Sequence, residues 1–163
     1  MEDKRALARA RDLAYRCLAL RDRSRAELAA YLKKKEVPDE LAGSVLGEFE
    51  AHGYIDDRRF AEKYARYLIG KKGLSRYMLK AELVRMGVSK ADADAGLSLL
   101  FDDDGEGGED DLTTALKAAR KKAATLGRVE PEKARRRLTD YLRRRGFSYE
   151  VISRAVKAAL TSD

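Results

Sequence analysis

The sequence predicts an all-α fold of three tandem three-helix, helix-turn-helix-like repeats forming an elongated, curved molecule, and three observations lead there. Apolar residues recur at helical spacing throughout, and no run of alternating valines, isoleucines and aromatics bounded by turn residues competes with them. The chain of 163 residues is 44% hydrophobic and 39% charged with two prolines, which suits helices with solvated faces. It also repeats itself. Ser24, Arg25, Leu28, Leu32 and Val37 fall on Ser75, Arg76, Leu79, Leu83 and Val88 at an offset of 51; Leu79, Leu83, Gly87, Val88 and Ser89 fall on Leu138, Leu142, Gly146, Phe147 and Ser148 at an offset of 59. One such unit has too small a core to be secure alone, so the repeats are expected to stack and bury their shared apolar faces.

Repeat 1 spans 1–56, with helices expected over 4–20, 25–35 and 39–51. Ser24 with Glu27 makes a capping box for its middle helix. Glu36 stands where the later repeats have glycine, so that corner is expected to close differently, with Pro38 starting the next helix. Between repeats 1 and 2 a helix stop and a helix start are nearly fused. Gly53 can take the left-handed conformation that closes one helix, and Asp56 can cap the next. Ile55 is then at N′ and Phe60 at N4, the spacing of a hydrophobic staple.

Repeat 2 spans 57–101, with helices expected over 57–69, 76–86 and 90–101. Ser89 with Asp92 gives an acidic version of the capping box, and Gly70-Lys71-Lys72-Gly73 is read as the link between two helices. Residues 102–111 form an acidic, Gly-rich linker with seven acidic groups and no basic one. Repeat 3 spans 112–163; its helices are expected over 111–126, 131–145 and 149–160, with Pro131 in the first turn of the middle one. Gly87 and Gly146 are placed as left-handed C-caps of the middle helices of repeats 2 and 3.

Tyr31, Tyr64 and Tyr141 sit beside leucines at helical spacing and read as core or boundary residues before base-stacking platforms. Cys17, the single cysteine, shares a face with Leu7, Ala10, Ala14 and Leu18, so it reads as a buried small hydrophobe and excludes an internal disulfide. The single histidine, His52, lacks the partners of a transition-metal site and reads as a surface residue at a helix end. The start Met-Glu-Asp-Lys lacks the apolar stretch of a signal peptide, and no segment approaches membrane-spanning length, so a cytoplasmic protein without membrane contact is expected.

The residues offer no catalytic constellation. Gly70–Gly73 has the wrong spacing for a phosphate loop, Gly105-Glu106-Gly107-Gly108 is acidic and follows no strand, and no cofactor or metal is expected. The function class is therefore binding. The formal net charge of +7 is divided into +5 over residues 1–101, the acidic linker, and +9 over residues 112–163. On the middle helix of repeat 3, Ala134, Leu138, Tyr141 and Leu142 form the apolar face, while Arg136, Arg137, Arg143 and Arg144 point away from it. Asp140 among them is expected to pair with Arg136 or Arg144, and Arg145 falls nearer the apolar side, at a helix C-terminus. Such a face is either a solvated surface laced by i, i+4 pairs or a site for a polyanion or an acidic protein; four guanidiniums against one carboxylate favour the second. Secondary basic positions are Lys33, Lys34 and Lys35, then Lys71, Lys72 and Arg76, then Arg120, Lys121 and Lys122.

Three segments carry a family resemblance. Gly53-Tyr54-Ile55-Asp56-Asp57 followed by Arg59-Phe60-Ala61, the core Arg23-Ser24-x-x-Glu27-Leu28, and Arg145-Gly146-Phe147 resemble, in order, the signature of the RecX family of bacterial regulators of the RecA recombinase. The resemblance spans nearly the whole chain. It implies that Gly53, Tyr54, Asp56, Asp57, Phe60, Gly146 and Phe147 serve structure. It further implies a monomer whose partners are RecA and the RecA filament on single-stranded DNA. There it would lodge in the filament groove and lower ATP hydrolysis, strand exchange and co-protease activity. Direct contact with single- or double-stranded DNA stays open. The alternative is a transcriptional regulator reading duplex DNA through one helix-turn-helix; the complete absence of Asn and Gln counts against base readout of that kind.

Overall fold

The computed structural model describes residues 2–101 and 110–161. Among them it contains nine α-helices and no strand: α1 (Glu2–Leu20), α2 (Arg25–Lys34), α3 (Asp39–Ala51), α4 (Asp57–Lys72), α5 (Arg76–Arg85), α6 (Lys90–Phe101), α7 (Asp111–Ala123), α8 (Pro131–Arg143) and α9 (Tyr149–Thr161). None of these helices is long and apolar enough to cross a membrane. The all-α fold of three successive three-helix sets is as the repeats predict.

The expected caps form. Ser24 accepts from the Glu27 N–H at 3.1 Å while Glu27 accepts from the Ser24 N–H at 3.1 Å, closing the capping box. Asp56 accepts from the N–H groups of Arg58 and Arg59 at 3.0 and 3.1 Å, and Ile55 and Phe60 on either side of it are both buried. Pro131 opens α8.

Four expectations are corrected. Gly70, Lys71 and Lys72 are the last turn of α4, not a link; the helix runs on until Gly73, at φ +58°, whose N–H donates to the Ile69 carbonyl at 2.9 Å. Helix α7 ends at Ala123, short of 126, because Thr125 and Leu126 turn by shorter i→i−3 bonds to Lys122 and Ala123 at 3.0 Å. The corner after α2 closes as the others do. Glu36 itself takes φ +58°, with Glu36 N–H to Lys33 O at 2.9 Å and Val37 N–H to Leu32 O at 3.1 Å; Gly87 and Val88 repeat the pattern to Val84 and Leu83 at 3.0 and 3.1 Å. Lastly, the end of the acidic run does structural work. Asp110 is the N-cap of α7, accepting from the Thr113 N–H and hydroxyl at 2.7 Å each, and Asp111 is its first residue. The rest of that run, including Gly105–Gly108, lies outside the described residues.

The chain divides into two compact units, Met1–Lys63 with Leu83–Gly96, and Tyr64–Glu82 with Leu97–Asp163, so that the boundary passes through the middle helix set. In the first unit, Ala14, Cys17, Leu28, Leu32, Val45, Phe49 and Ile55 form the core. Asp57, the first residue of α4, accepts from the Arg25 N–H at the start of α2 at 2.8 Å. The buried Ser24 hydroxyl donates to Met86 O at 3.4 Å, and Gly87 lies so close to Ala26 that a Cβ there would collide with the alanine methyl.

In the second unit, Ala115, Ala119, Leu138, Leu142, Phe147, Ile152 and Val156 form the core. The same junction recurs within it, one repeat on. Asp111 accepts from the Arg76 N–H at 2.8 Å, the N–H of the buried Ser75 donates to Arg145 O at 3.0 Å, and a Cβ on Gly146 would collide with Met78. Each unit thus holds one seam between successive helix sets. At the offset of 59 the seam residues Ser75 and Arg76 correspond to Ala134 and Arg135. Those two lie inside α8, which has thirteen residues where α2 and α5 have ten and begins about a turn earlier.

Candidate functional site

Helix α8 buries Ala134, Leu138 and Leu142 and half-buries Tyr141, which leaves Arg136, Arg137, Arg143 and Arg144 exposed as their spacing predicts. Arg135, which sequence reasoning passed over, is exposed with them. Asp140 pairs with Arg143 at 3.2 Å, one turn on in the i, i+3 sense, instead of with Arg136 or Arg144. Both spacings bring side chains together on a helix, and spacing alone does not choose between them. The pair is solvated and contributes little. Glu132, Arg135, Arg136, Thr139, Asp140 and Arg143 surround one depression of about 530 Å³, where guanidiniums outnumber carboxylates.

A second basic feature lies in the same unit. The last turn of α4, one stripe of α7 and the end of α8 line a groove of about 450 Å³. Thr114, Lys117, Ala118, Lys121 and Thr125 share that stripe because they recur every three or four residues. Lys71 donates to the Tyr67 hydroxyl at 2.8 Å, a bond that raises the lysine pKa and stabilises its charge. Arg145 is clamped. Its Nε donates to Lys72 O at 2.9 Å, its Nη1 to Tyr141 O at 3.3 Å, and its guanidinium lies 3.5 Å over the Tyr141 ring. Arg145 thus serves a helix C-terminus, as its position predicts, while its charge faces the groove. Thr114 is only 3% exposed, and its hydroxyl has no hydrogen-bond partner.

The structure therefore brings Lys71, Lys72, Lys121 and Lys122 to one groove, with Lys117 and Arg66 added. Lys117 is missed by sequence because it stands alone between apolar residues; the structure places it in the groove with Lys71 and Lys72 of α4. Arg120 is exposed but does not line the groove. Lys33 and Lys34 are exposed on the last turn of α2, in the other unit. Arg76 is half-buried in packing: its Nη2 donates to Ser98 Oγ at 3.1 Å and its guanidinium lies 5.4 Å from the Phe101 ring.

The signature positions do structural work. Gly53 has φ +72°, and the Tyr54 N–H donates to Phe49 O at 2.8 Å, so that the Tyr54 ring joins Tyr15 and Phe49 at centroid distances of 5.5 and 5.2 Å. Burial raises the Asp57 pKa, with Asp92 and Glu50 adding to the effect, against the bond from the Arg25 N–H; burial raises that of Asp111 against the bond from Arg76. Phe60 and Phe147 are buried, and Gly146 forms its seam. Cys17 is buried; His52 is exposed, and its Nδ1–H donates to Glu48 O at 2.8 Å. Among the described residues no group of His, Cys, Asp and Glu could hold a metal ion. Among the described residues the arrangement offers cationic surfaces.

Comparisons with known proteins agree with this geometry. Three family models match in order: "RecX, first three-helix domain" over residues 10–49, the second three-helix domain over 56–97 and the third over 109–156. A relative from Streptomyces coelicolor, named "Regulatory protein RecX", is 36% identical over 154 residues, covering 94% of this chain and 79% of the relative. One of the same name from Thermobifida fusca is 35% identical over 157 residues, covering 96% and 81%. Among solved structures, that of RecX from Lactobacillus salivarius superposes with a TM-score of 0.79 at 18% identity over 98% of both chains. A second, described as regulatory protein RecX, gives 0.77 at 20% identity over 94% of this chain and 73% of the other.

Proposed function

The chain belongs to the RecX family, and on that premise we propose that it is a regulatory protein that binds RecA and its filament on single-stranded DNA and restrains the recombinase. On this reading it lowers RecA's ATP hydrolysis, strand exchange and co-protease activity, acts in the cytoplasm during DNA repair and the SOS response, and performs no catalysis of its own. Family membership supplies the partner. The observation that supports a means of engagement is the α8 face, where Arg136, Arg137, Arg143 and Arg144 are exposed above a buried Leu138 and Leu142. Such a face attracts the phosphates of a nucleoprotein filament or its acidic protein surface.

The test changes all four arginines to Gln. Exposed substitutions usually stay within about 0.5 kcal/mol each, so the variant is expected to melt close to wild type. Its inhibition of RecA's single-stranded-DNA-dependent ATP hydrolysis is expected to weaken at least tenfold in the concentration required. Leu138→Ala is the contrasting control, losing about 2–5 kcal/mol of stability through a core cavity and losing inhibition only as it unfolds. A four-Gln variant that folds and inhibits like wild type removes the α8 face from the mechanism.

A further inference from the structure

We propose that the groove between the end of α4, the Thr114–Thr125 stripe of α7 and the Tyr141–Arg145 end of α8 binds a run of consecutive phosphates. Seven cations line it, from α4, α7 and the turn after α8: Arg66, Lys71, Lys72, Lys117, Lys121, Lys122 and Arg145, and no carboxylate is among the lining residues. Cations in the last turn of a helix are ordinarily explained by the carbonyl end of its dipole. That account covers Lys71 and Lys72 on α4 and Lys121 and Lys122 on α7. It does not cover Lys117, in mid-helix. An anion seated in the groove accounts for it, by neutralising cations that otherwise repel one another.

Two of the cations are held in place before any ligand arrives, Lys71 by the Tyr67 hydroxyl and Arg145 by two carbonyls and the Tyr141 ring. A volume of about 450 Å³ takes several phosphates, not one. The helix ends beside the groove present carbonyls, so side chains alone do the holding. That favours an extended chain of anions over a single ion gripped by backbone amides. Consecutive phosphates come either from the backbone of a single-stranded nucleic acid or from a free oligophosphate such as that of a nucleoside triphosphate. The inference rests on the regulatory reading above for its place in the protein's work, and its test needs this chain alone.

The experiment measures fluorescence anisotropy of a labelled oligothymidylate with the full chain across a salt series, then competes it with inorganic tripolyphosphate and with orthophosphate. In Lys117→Gln/Lys121→Gln, affinity at low salt is expected to fall at least tenfold, and the log–log salt slope to flatten by about 1.4, at about 0.7 per lost contact on a single strand. Thr114→Val, which changes only a hydroxyl closed off from the groove, is expected to keep wild-type affinity and slope and to melt no lower than wild type. Displacement by tripolyphosphate at micromolar concentration, with orthophosphate inert, supports the groove and points to a free oligophosphate. Displacement by unlabelled oligonucleotide alone supports it and points to a nucleic-acid backbone. Wild-type affinity and slope in the double Gln variant, or no binding of either polyanion by the wild-type chain at low salt, overturns the groove. Failure of the regulatory reading shows instead in the α8 variant assayed with RecA, where this oligonucleotide titration has no part.

Discussion

A left-handed backbone costs a residue with a Cβ about 1–2 kcal/mol, and Glu36 carries that cost at φ +58°. Gly87 and Gly146 hold the same conformation at the equivalent corners, but each is also pressed against the start of an earlier middle helix, where no Cβ fits. Glu36 is exposed, and this explains why a side chain survives there and nowhere else in the series. Glu36→Gly is expected to stabilise the protein by about 0.5–1 kcal/mol, the relief of strain being partly offset by the freedom glycine gains in the unfolded chain. Gly87→Ala is expected to cost about 1–3 kcal/mol, because strain and collision add. Urea midpoints at constant m separate the two, and equal effects at both positions would show that conformation alone decides. Sequence reasoning sees that Glu36 differs from its counterparts but not which cost matters, since the approach of Ala26 is absent from the repeat pattern.

Helices α4 and α7 each begin with an aspartate that accepts an N–H from a neighbouring helix start, Asp57 from Arg25 and Asp111 from Arg76. Burial raises both pKa values. A raised acid binds its proton in the folded state before it does so unfolded. Stability therefore falls as pH rises from the unfolded value near 3.8 through the raised one. Asp110 is the opposite case: burial pushes its pKa up, but the Thr113 hydroxyl and N–H outweigh it, so its stabilisation is lost as pH falls through its lowered value. Asn keeps the accepting oxygen without the buried charge. Asp57→Asn with Asp111→Asn is thus expected to match or exceed wild type by up to about 0.5 kcal/mol at pH 7, the margin shrinking on acidification as wild type gains stability, whereas Ala at either position loses about 1 kcal/mol more than Asn for the missing acceptor. Chemical denaturation at several pH values checks this; an Asn variant as damaged as the Ala one would mean that the charge itself holds the seam. Caps such as Ser24 and Asp56 were legible in the sequence because their partners lie within three residues. The continuation of α4 through Lys72, the Asp140–Arg143 pair and the meeting of Lys71 with Lys117 were not. Each is chosen by tertiary neighbours that spacing leaves undetermined.

For the molecule as a whole, the acidic run was read as a spacer, yet its last two residues belong to the fold. Replacing residues 102–109 by a neutral Gly/Ser sequence of equal length is expected to leave helicity and cooperative melting nearly unchanged. Extending the replacement through Asp110 and Asp111 is expected to remove about 1–3 kcal/mol, as the cap of α7 and the acceptor for Arg76 go together. Circular dichroism and thermal melting of the two variants distinguish them, and equal melting would mean that the cap contributes nothing. The division of labour is then clear in charge: basic surfaces of the second unit lie on α4, α7 and α8, while the carboxylates of Asp110 and Asp111 are engaged by donors of their own.

The extra turn of α8 has a consequence best put in the language of polymer chemistry. Arg25 and Arg76 sit at the first position of their helices, where a backbone N–H is unspent and can be donated to the aspartate of the next helix set. Arg135, the corresponding residue, lies beyond the first turn of α8, so its N–H is consumed within the helix, and Ala134 replaces the serine. The third set therefore lacks the donor that the first two present. At the corner of the first set a Cβ stands on Glu36 where Gly87 and Gly146 have none. Units that adhere through one recurring seam resemble monomers with complementary ends; the first set has no glycine at its corner and the third no serine and unspent N–H at the matching positions.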